Sequence, residues 1–192
     1  MSRYEGYWIS KDSKMVAFEQ VDESHIPNYR IMHQGSDQVG EGAQEDHRYP
    51  FAGASNPIVR LGVVGVDGGE VTWFDLTSRY GADLYLPRVK WLHDNTLVVQ
   101  VQNRDQTEVE LLHLFPADGT SKTIMVEKNE AWVNLHNMFT PVKKTGEFIW
   151  ASERCEHSRV LVGYELGFWF REMSDDLRLL SGMAQEKYFP ET

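Results

Sequence analysis

The sequence predicts an all-β protein whose antiparallel strands repeat as small sheets, and three observations predict it. Aromatic residues reach 12%, with six Trp, and aromatic and β-branched side chains suit a pleated, half-buried surface better than a helix. Short apolar runs alternate with clusters of Gly, Asp and Asn at the spacing of strands and turns. One local pattern, an aromatic residue followed by a polar turn and a new apolar run, recurs along the chain.

Residues 15–21 form the first clear strand signal, entered through the turn-like stretch at residues 11–14. Residues 35–46 are polar, Gly-rich and without periodicity, which predicts a loop. Residues 49–57 carry Pro50 and Pro57, which forbid a central strand. Residues 59–66 and 70–76 flank Asp67-Gly68-Gly69, the chemistry of a hairpin turn. Gly62 and Gly65 within that hairpin predict close backbone packing; no helix signal follows them, so a phosphate-binding loop is excluded. The clearest unit is residues 86–118: strands at 86–91, 96–103 and 108–115, separated by turns at 92–95 and 104–106.

The stretch beginning at Trp8 is repeated at Trp91 and, more loosely, at Phe139, roughly 50 to 80 residues apart. Ser152-Glu153-Arg154 likewise echoes Gln102-Asn103-Arg104. Repeats of four short strands suggest the blades of a β-propeller, with an insertion in the longer interval. A blade cannot bury both faces alone, so about three blades call for neighbours. The expected organisation is a partial propeller at residues 1–166 and a divergent tail at 167–192. Within the tail, Phe170, Met173, Leu177 and Leu180 fall at helical spacing, so it is expected to be a short helix or disordered.

Composition narrows the function classes. The net charge of −10, with no basic cluster beyond Lys143-Lys144, argues against a nucleic-acid partner. No run of about 18 apolar residues predicts a membrane span. The amino terminus carries no apolar signal core, and a single cysteine, Cys155, permits no internal disulfide; a cytoplasmic location is the expectation. His157, two residues from Cys155, would share its face on a strand, but nothing else there suggests a catalytic thiol, and a structural cysteine is expected.

Catalytic signatures are absent from the sequence. It has no Gly-x-Ser-x-Gly elbow, no His-Glu-x-x-His, no Cys-x-x-Cys and no calcium loop, so neither catalytic residues nor a metal or other cofactor is expected. The carboxylate pairs Asp22-Glu23 and Glu45-Asp46 are expected in solvated turns, since neighbours on a strand face opposite ways. His113 is expected as a packing or surface residue of a strand. The segment most suggestive of ligand contact is residues 132–141, where Trp132 and Phe139 bracket Asn134, His136 and Asn137.

Taken together and in order, several strings resemble the amino-terminal propeller of the dipeptidyl-peptidase IV family. They are the stretch from Tyr4 through Trp8 to Lys14, Asn56-Pro57 before the strand at 59–66, Leu86-Pro87-Arg88-Val89-Lys90-Trp91, Asn103-Arg104-Asp105-Gln106, Trp132-Val133-Asn134-Leu135-His136, and the strand leading to Arg154. The likeness is strongest to the cytosolic dipeptidyl-peptidase 8/9-like branch. The resemblance implies an eight-bladed propeller over an α/β-hydrolase domain that removes amino-terminal dipeptides, with Pro or Ala second, through a Ser-Asp-His triad. It implies a glutamate pair, binding the substrate ammonium, upstream of Met1. The remaining blades and the hydrolase domain would be this chain's partners, with peptide substrate bound only by the whole enzyme. Asn134 and His136 are the residues it implies as substrate-facing. The rival expectation is a stand-alone β-rich interaction module without peptidase activity.

Overall fold

The computed structural model describes residues 6–33, 41–142, 147–155, 158–165 and 170–171. They form three four-stranded antiparallel sheets and one two-stranded ribbon. The first sheet contains β1 (Tyr7–Ile9), β2 (Met15–Asp22), β5 (Ile58–Gly65) and β6 (Thr72–Phe74), hydrogen-bonded in that order. Between β2 and β5 the chain leaves the sheet as a ribbon of β3 (Asn28–Met32) and β4 (Gln44–Arg48), joined through a 3-10 turn at Glu41–Ala43. The second sheet is β7 (Leu84–Trp91), β8 (Leu97–Asn103), β9 (Glu108–Phe115) and β10 (Thr120–Lys128), each paired with the next. The third is β11 (Thr140–Pro141), β12 (Glu147–Cys155), β13 (Ser158–Glu165) and β14 (Phe170–Arg171).

Each sheet is an up-and-down meander, and the sheets stack face to face. β8 shows why: its run Leu97-Val98-Val99-Gln100-Val101-Gln102 is buried throughout. Leu97, Val99 and Val101 join Leu112 and Leu114 in a core shared with Ala17, Leu61, Val63 and Phe74 of the first sheet. Val98 and Leu111, of opposite parity, join Phe139, just before the third sheet, and Phe148 and Trp150 within it. Period-2 geometry sends alternate side chains into two different cores, so a strand in the middle of the stack is apolar without alternation. The irregularity in β7, between Tyr85 and Arg88, falls at Pro87, which has no N–H to give the ladder.

The expected strands at 15–21, 59–66, 86–91, 96–103 and 108–115 correspond to β2, β5, β7, β8 and β9. The repeated turns also match. Ser13 and Asn95, between β1 and β2 and between β7 and β8, have φ of 60° and 59°, and Asn95 Nδ2 donates to Asp12 Oδ2 at 3.0 Å, tying the two turns together.

Four expectations are corrected. The loop expected at 35–46 ends in β4, with Glu45 and Asp46 paired to Ile31 and Arg30; these carboxylates, like Asp22 at the end of β2, lie in strands and not in turns. The ribbon is exposed on both faces, so burial imposed no alternation on its sequence for a periodicity argument to find. The strand expected at 70–76 shrinks to Thr72–Phe74, after a connection in which Gly68 and Gly69 take positive φ. Phe170, the first of the residues at helical spacing, instead lies with Arg171 in β14, paired with Tyr164 and Gly163; local periodicity does not register the open edge of β13. The rest of the expected tail, and His157 beside Cys155, lie outside the described residues. Among the described residues no helix is long and apolar enough to cross a membrane.

Candidate functional site

Residues 132–139 connect the outer strand of the second sheet, β10, to the short first strand of the third, β11. The segment has no ladder of its own, so its backbone groups must find other partners. The second sheet supplies them. Val133 N donates to Gln106 O at 2.7 Å, and Gln102 Nε2 donates to Val133 O at 3.3 Å. Gln100 Nε2 donates to His136 O at 3.3 Å, and Lys90 Nζ to Phe139 O at 2.7 Å. Arg88 Nε reaches the Asn137 side chain, donating to Oδ1 at 2.5 Å. Alternate positions of β7 and β8 thus present a row of donors along the segment, because period 2 puts Arg88 and Lys90, and Gln100 and Gln102, on one face.

Phe139 and Val133 anchor the segment by burial, whereas Trp132, Asn134 and Asn137 are exposed and His136 is half-buried. The His136 ring packs on Trp150, with centroids 4.1 Å apart. Met138 N donates to His136 Nδ1 at 3.2 Å, which makes Nδ1 the acceptor and puts the proton of the neutral ring on Nε2. Trp132 Nε1 donates to Asn134 Oδ1 at 3.3 Å. Behind them lies a buried carboxylate. Glu127, on β10, accepts from Trp150 Nε1 at 2.5 Å and from Ser152 Oγ at 2.7 Å. These hydrogen bonds to a charged acceptor offset the loss of water and fix Trp150 as the platform for His136.

The sequence-derived pair Asn134 and His136 therefore does meet at one place. With Glu127, Lys128, Asn129, Trp132, Val133 and Ala151 it lines a niche of about 10 Å³, room for about one water molecule. Such a niche does not hold a ligand by itself. What it offers is a rigid polar rim that a ligand bound from outside could touch. No group of three His, Cys, Asp or Glu side chains among the described residues could hold a metal ion. Sequence reasoning missed the clamping residues Arg88, Lys90, Gln100 and Gln102. The signal was present in β8, where two glutamines interrupt an otherwise apolar run.

His113 lies apart from this rim, buried on β9, with Thr96 Oγ1 2.7 Å from its Nε2. Burial pushes its imidazole below the ordinary value, with the Asp94 carboxylate opposing and Lys122 adding to the effect. It bonds and packs within its own sheet, as a structural residue.

The family model for the dipeptidyl peptidase IV (DPP IV) N-terminal region matches residues 1–165. The chain belongs to that family. "Probable dipeptidyl-aminopeptidase B" of Ajellomyces dermatitidis is 30% identical over 167 residues, 82% of this chain and 18% of the relative. Venom dipeptidyl peptidase 4 of Vespa velutina is 28% identical over 138 residues, 69% of this chain and 18% of the relative. Among solved structures, Porphyromonas gingivalis dipeptidyl peptidase 4 superposes with a TM-score of 0.72 at 24% identity, covering 88% of this chain and 24% of that one. At that identity the likeness concerns the fold, and it agrees with stacked propeller sheets. The chain spans about a fifth of the length of these DPP IV relatives.

Proposed function

We propose that this chain is the propeller portion of a serine-type dipeptidyl peptidase of the cytosolic 8/9-like branch, contributing about three blades of an eight-bladed ring and no peptidase activity by itself. The whole enzyme would remove amino-terminal X-Pro and X-Ala dipeptides, with its triad on an α/β-hydrolase domain. Asn134 and His136 would contribute to the surface facing the peptide. The single cysteine is the support for the cytoplasmic placement.

The observation that carries the reading is the stacking itself. Among the described residues, the second sheet is covered on both faces by its neighbours, whereas the first is covered on one. On its other face Tyr7 and Ile9 are exposed by 50% and 55%, beside half-buried Val16, Phe18, Val64 and Trp73. A further sheet stacked there would continue the repeat and remove this apolar surface from water.

Sequencing the transcript beyond both ends of this reading frame tests the proposal. It expects a downstream Gly-x-Ser-x-Gly elbow. A message without one sinks the peptidase reading and favours an interaction module. The purified chain is expected to leave a Gly-Pro chromogenic substrate intact; turnover that follows the chain through successive purification steps would refute its inactivity.

A further inference from the structure

The connection from β5 to β6 carries one of the two Asp-Gly pairs in the sequence, Asp67-Gly68; the other is Asp118-Gly119, in the turn from β9 to β10. An Asp-Gly pair is chemically labile, because glycine has no side chain to shield its amide nitrogen from the preceding carboxyl carbon and moves freely in φ and ψ. Attack of that nitrogen on the carboxyl carbon closes a five-membered ring. In a folded protein the outcome depends on whether the carboxyl group is free to swing toward the nitrogen.

Five aspartates at turns and strand ends are pinned. Asp12, Asp22, Asp75, Asp94 and Asp118 each accept, through Oδ1, the backbone N–H two residues on, from Lys14, Ser24, Thr77, Thr96 and Thr120 at 2.8–3.1 Å. Asp118 Oδ1 also accepts from Thr120 Oγ1 at 2.6 Å. These bonds hold the Asp118 carboxyl below the ordinary value, which depletes the neutral acid that loses its hydroxyl as water. Asp67 is the exception. Residue 69 is a glycine with φ of 116° and brings no hydroxyl, and no donor among the described residues meets the Asp67 carboxylate. Asp105 also lacks such a bond, but Gln106 follows it, and a side chain there crowds the nitrogen. The surroundings differ as well. Val66 through Glu70 are all exposed, and a methyl group placed on Gly68 would meet nothing within 4 Å. One placed on Gly119 would meet Thr72 Cγ2 at 3.3 Å, so that turn leans on β6. Each glycine N–H is held by one carbonyl, Gly68 by Gly65 at 3.0 Å and Gly119 by Phe115 at 2.9 Å, so that restraint does not separate the two pairs.

We propose that Asp67-Gly68 is a site of spontaneous backbone modification, converting to isoaspartate in the folded chain. Gly68 N forms a bond to Asp67 Cγ, and the carboxyl hydroxyl leaves with the amide proton as water, giving a succinimide. Water then opens the ring at either carbonyl. Breaking the bond to Cγ restores aspartate. Breaking the bond to the main-chain carbonyl carbon leaves the chain running through Cγ, one methylene longer, with a free α-carboxylate. That carboxylate is the group an S-adenosylmethionine-dependent isoaspartyl methyltransferase takes as substrate: its oxygen gains the methyl group, and the sulfonium leaves as a thioether. The altered connection enters β6, an outer strand of the first sheet. The site is independent of whether the longer protein is a peptidase.

The test incubates the folded 192-residue chain at neutral pH in water enriched in heavy oxygen, since each opening of the succinimide places one solvent oxygen at the modified residue. Peptide mass spectrometry reads label and isoaspartate at Asp67, Asp105 and Asp118. Synthetic peptides spanning Asp67 and Asp118 give the rate of each pair without the fold. Asp67 is expected to keep most of its peptide rate. Asp118 is expected to fall at least about tenfold below its own, the scale of one charge-assisted hydrogen bond broken before reaction. The comparison is made on the unaltered protein, so it does not depend on a variant folding. The aged chain should accept methyl groups at residue 67 from a purified isoaspartyl methyltransferase, and Asp67→Glu should abolish both signals there, because the larger ring closes far more slowly. Thr120→Val, which removes the hydroxyl and keeps the N–H, should speed Asp118 and leave Asp67 unchanged. Rates suppressed alike at Asp67 and Asp118 in the folded chain, or label appearing first at Asp118 or Asp105, would overturn the assignment.

Discussion

The indole Nε1 of Trp91 donates to the backbone carbonyl of Trp8 at 2.9 Å, across 83 residues of sequence. The two tryptophans occupy the same place in successive copies of the repeat, so one blade caps the next through the residue that defines it. Trp91 is 4% exposed. Trp91→Phe removes the indole donor and part of the aromatic surface from this buried position. The expected loss is about 1–2 kcal/mol, read from the urea midpoint with an unchanged slope. A variant as stable as the parent would show that water replaces the bond at no cost.

Gly62 is expected to reject even a methyl group. A Cβ there would lie 2.8 Å from Val71 Cγ1, 3.0 Å from Phe18 Cζ and 3.1 Å from Trp73 Cε3. Phe18 and Trp73 are already locked edge to face, 5.4 Å apart, with Arg60 over the indole. Gly62→Ala should cost about 1–3 kcal/mol through overpacking. Gly53→Ala has open space around its Cβ and serves as the contrast: its cost comes only from its φ of +80°. Thermal unfolding of both variants checks the ranking at Gly62.

Glu127 holds the platform of the candidate site through Trp150 and Ser152. In Glu127→Gln the amide can still accept from Trp150 and donate to the Ser152 hydroxyl. In Glu127→Leu both groups lose this acceptor. The leucine variant is therefore expected to be less stable than the glutamine variant by about 1–3 kcal/mol, and to shift Trp150 fluorescence. Equal stabilities would contradict the assignment of Glu127 as an obligatory acceptor.

Gln102→Leu preserves volume and removes the donor to Val133 O. The segment at 132–139 should then open more often, with faster amide hydrogen exchange at Val133 and Met138 than at β8 and β9. Unchanged exchange would mean that the backbone bond to Gln106 O suffices to hold it.

The pH dependence follows from His113. Its folded-state pKa lies below the unfolded value of 6.5, so the unfolded chain takes up the proton first as pH falls. Stability is lost from about pH 6.5 downward until the folded pKa is passed. The aspartates at 12, 22, 46, 75, 94 and 118 act at lower pH. Their pKa values are lowered from 3.8, with hydrogen bonds as the leading cause for all but Asp94; there burial is the largest single cause and acts upward, and the Thr96 hydrogen bonds, the Asp94 backbone N–H and His113 together exceed it. They stabilise above 3.8 and lose that contribution as pH falls through their folded values. His113→Gln should flatten the melting temperature between about pH 7 and pH 5 while leaving the steeper acid limb. A variant with the parental slope would assign the upper limb to another group.

The sequence by itself determined the strands that alternate or are wholly apolar, their turns, and the repeat that makes them sheets. Those features are local: turn chemistry and side-chain parity are written within a few residues. It also marked out the connection at 132–139 as the segment to look at, because polar residues bracketed by aromatics stand out there. The tertiary structure decided the rest. The ribbon of β3 and β4 is exposed on both faces, so no burial pattern encodes it, and β14 exists through pairing with the edge of β13. The clamp on residues 132–139 joins β7 and β8 to a segment 31 to 49 residues away. The roles of Lys90 and Gln100 depend on which face of their sheet meets the third, a relation set by stacking.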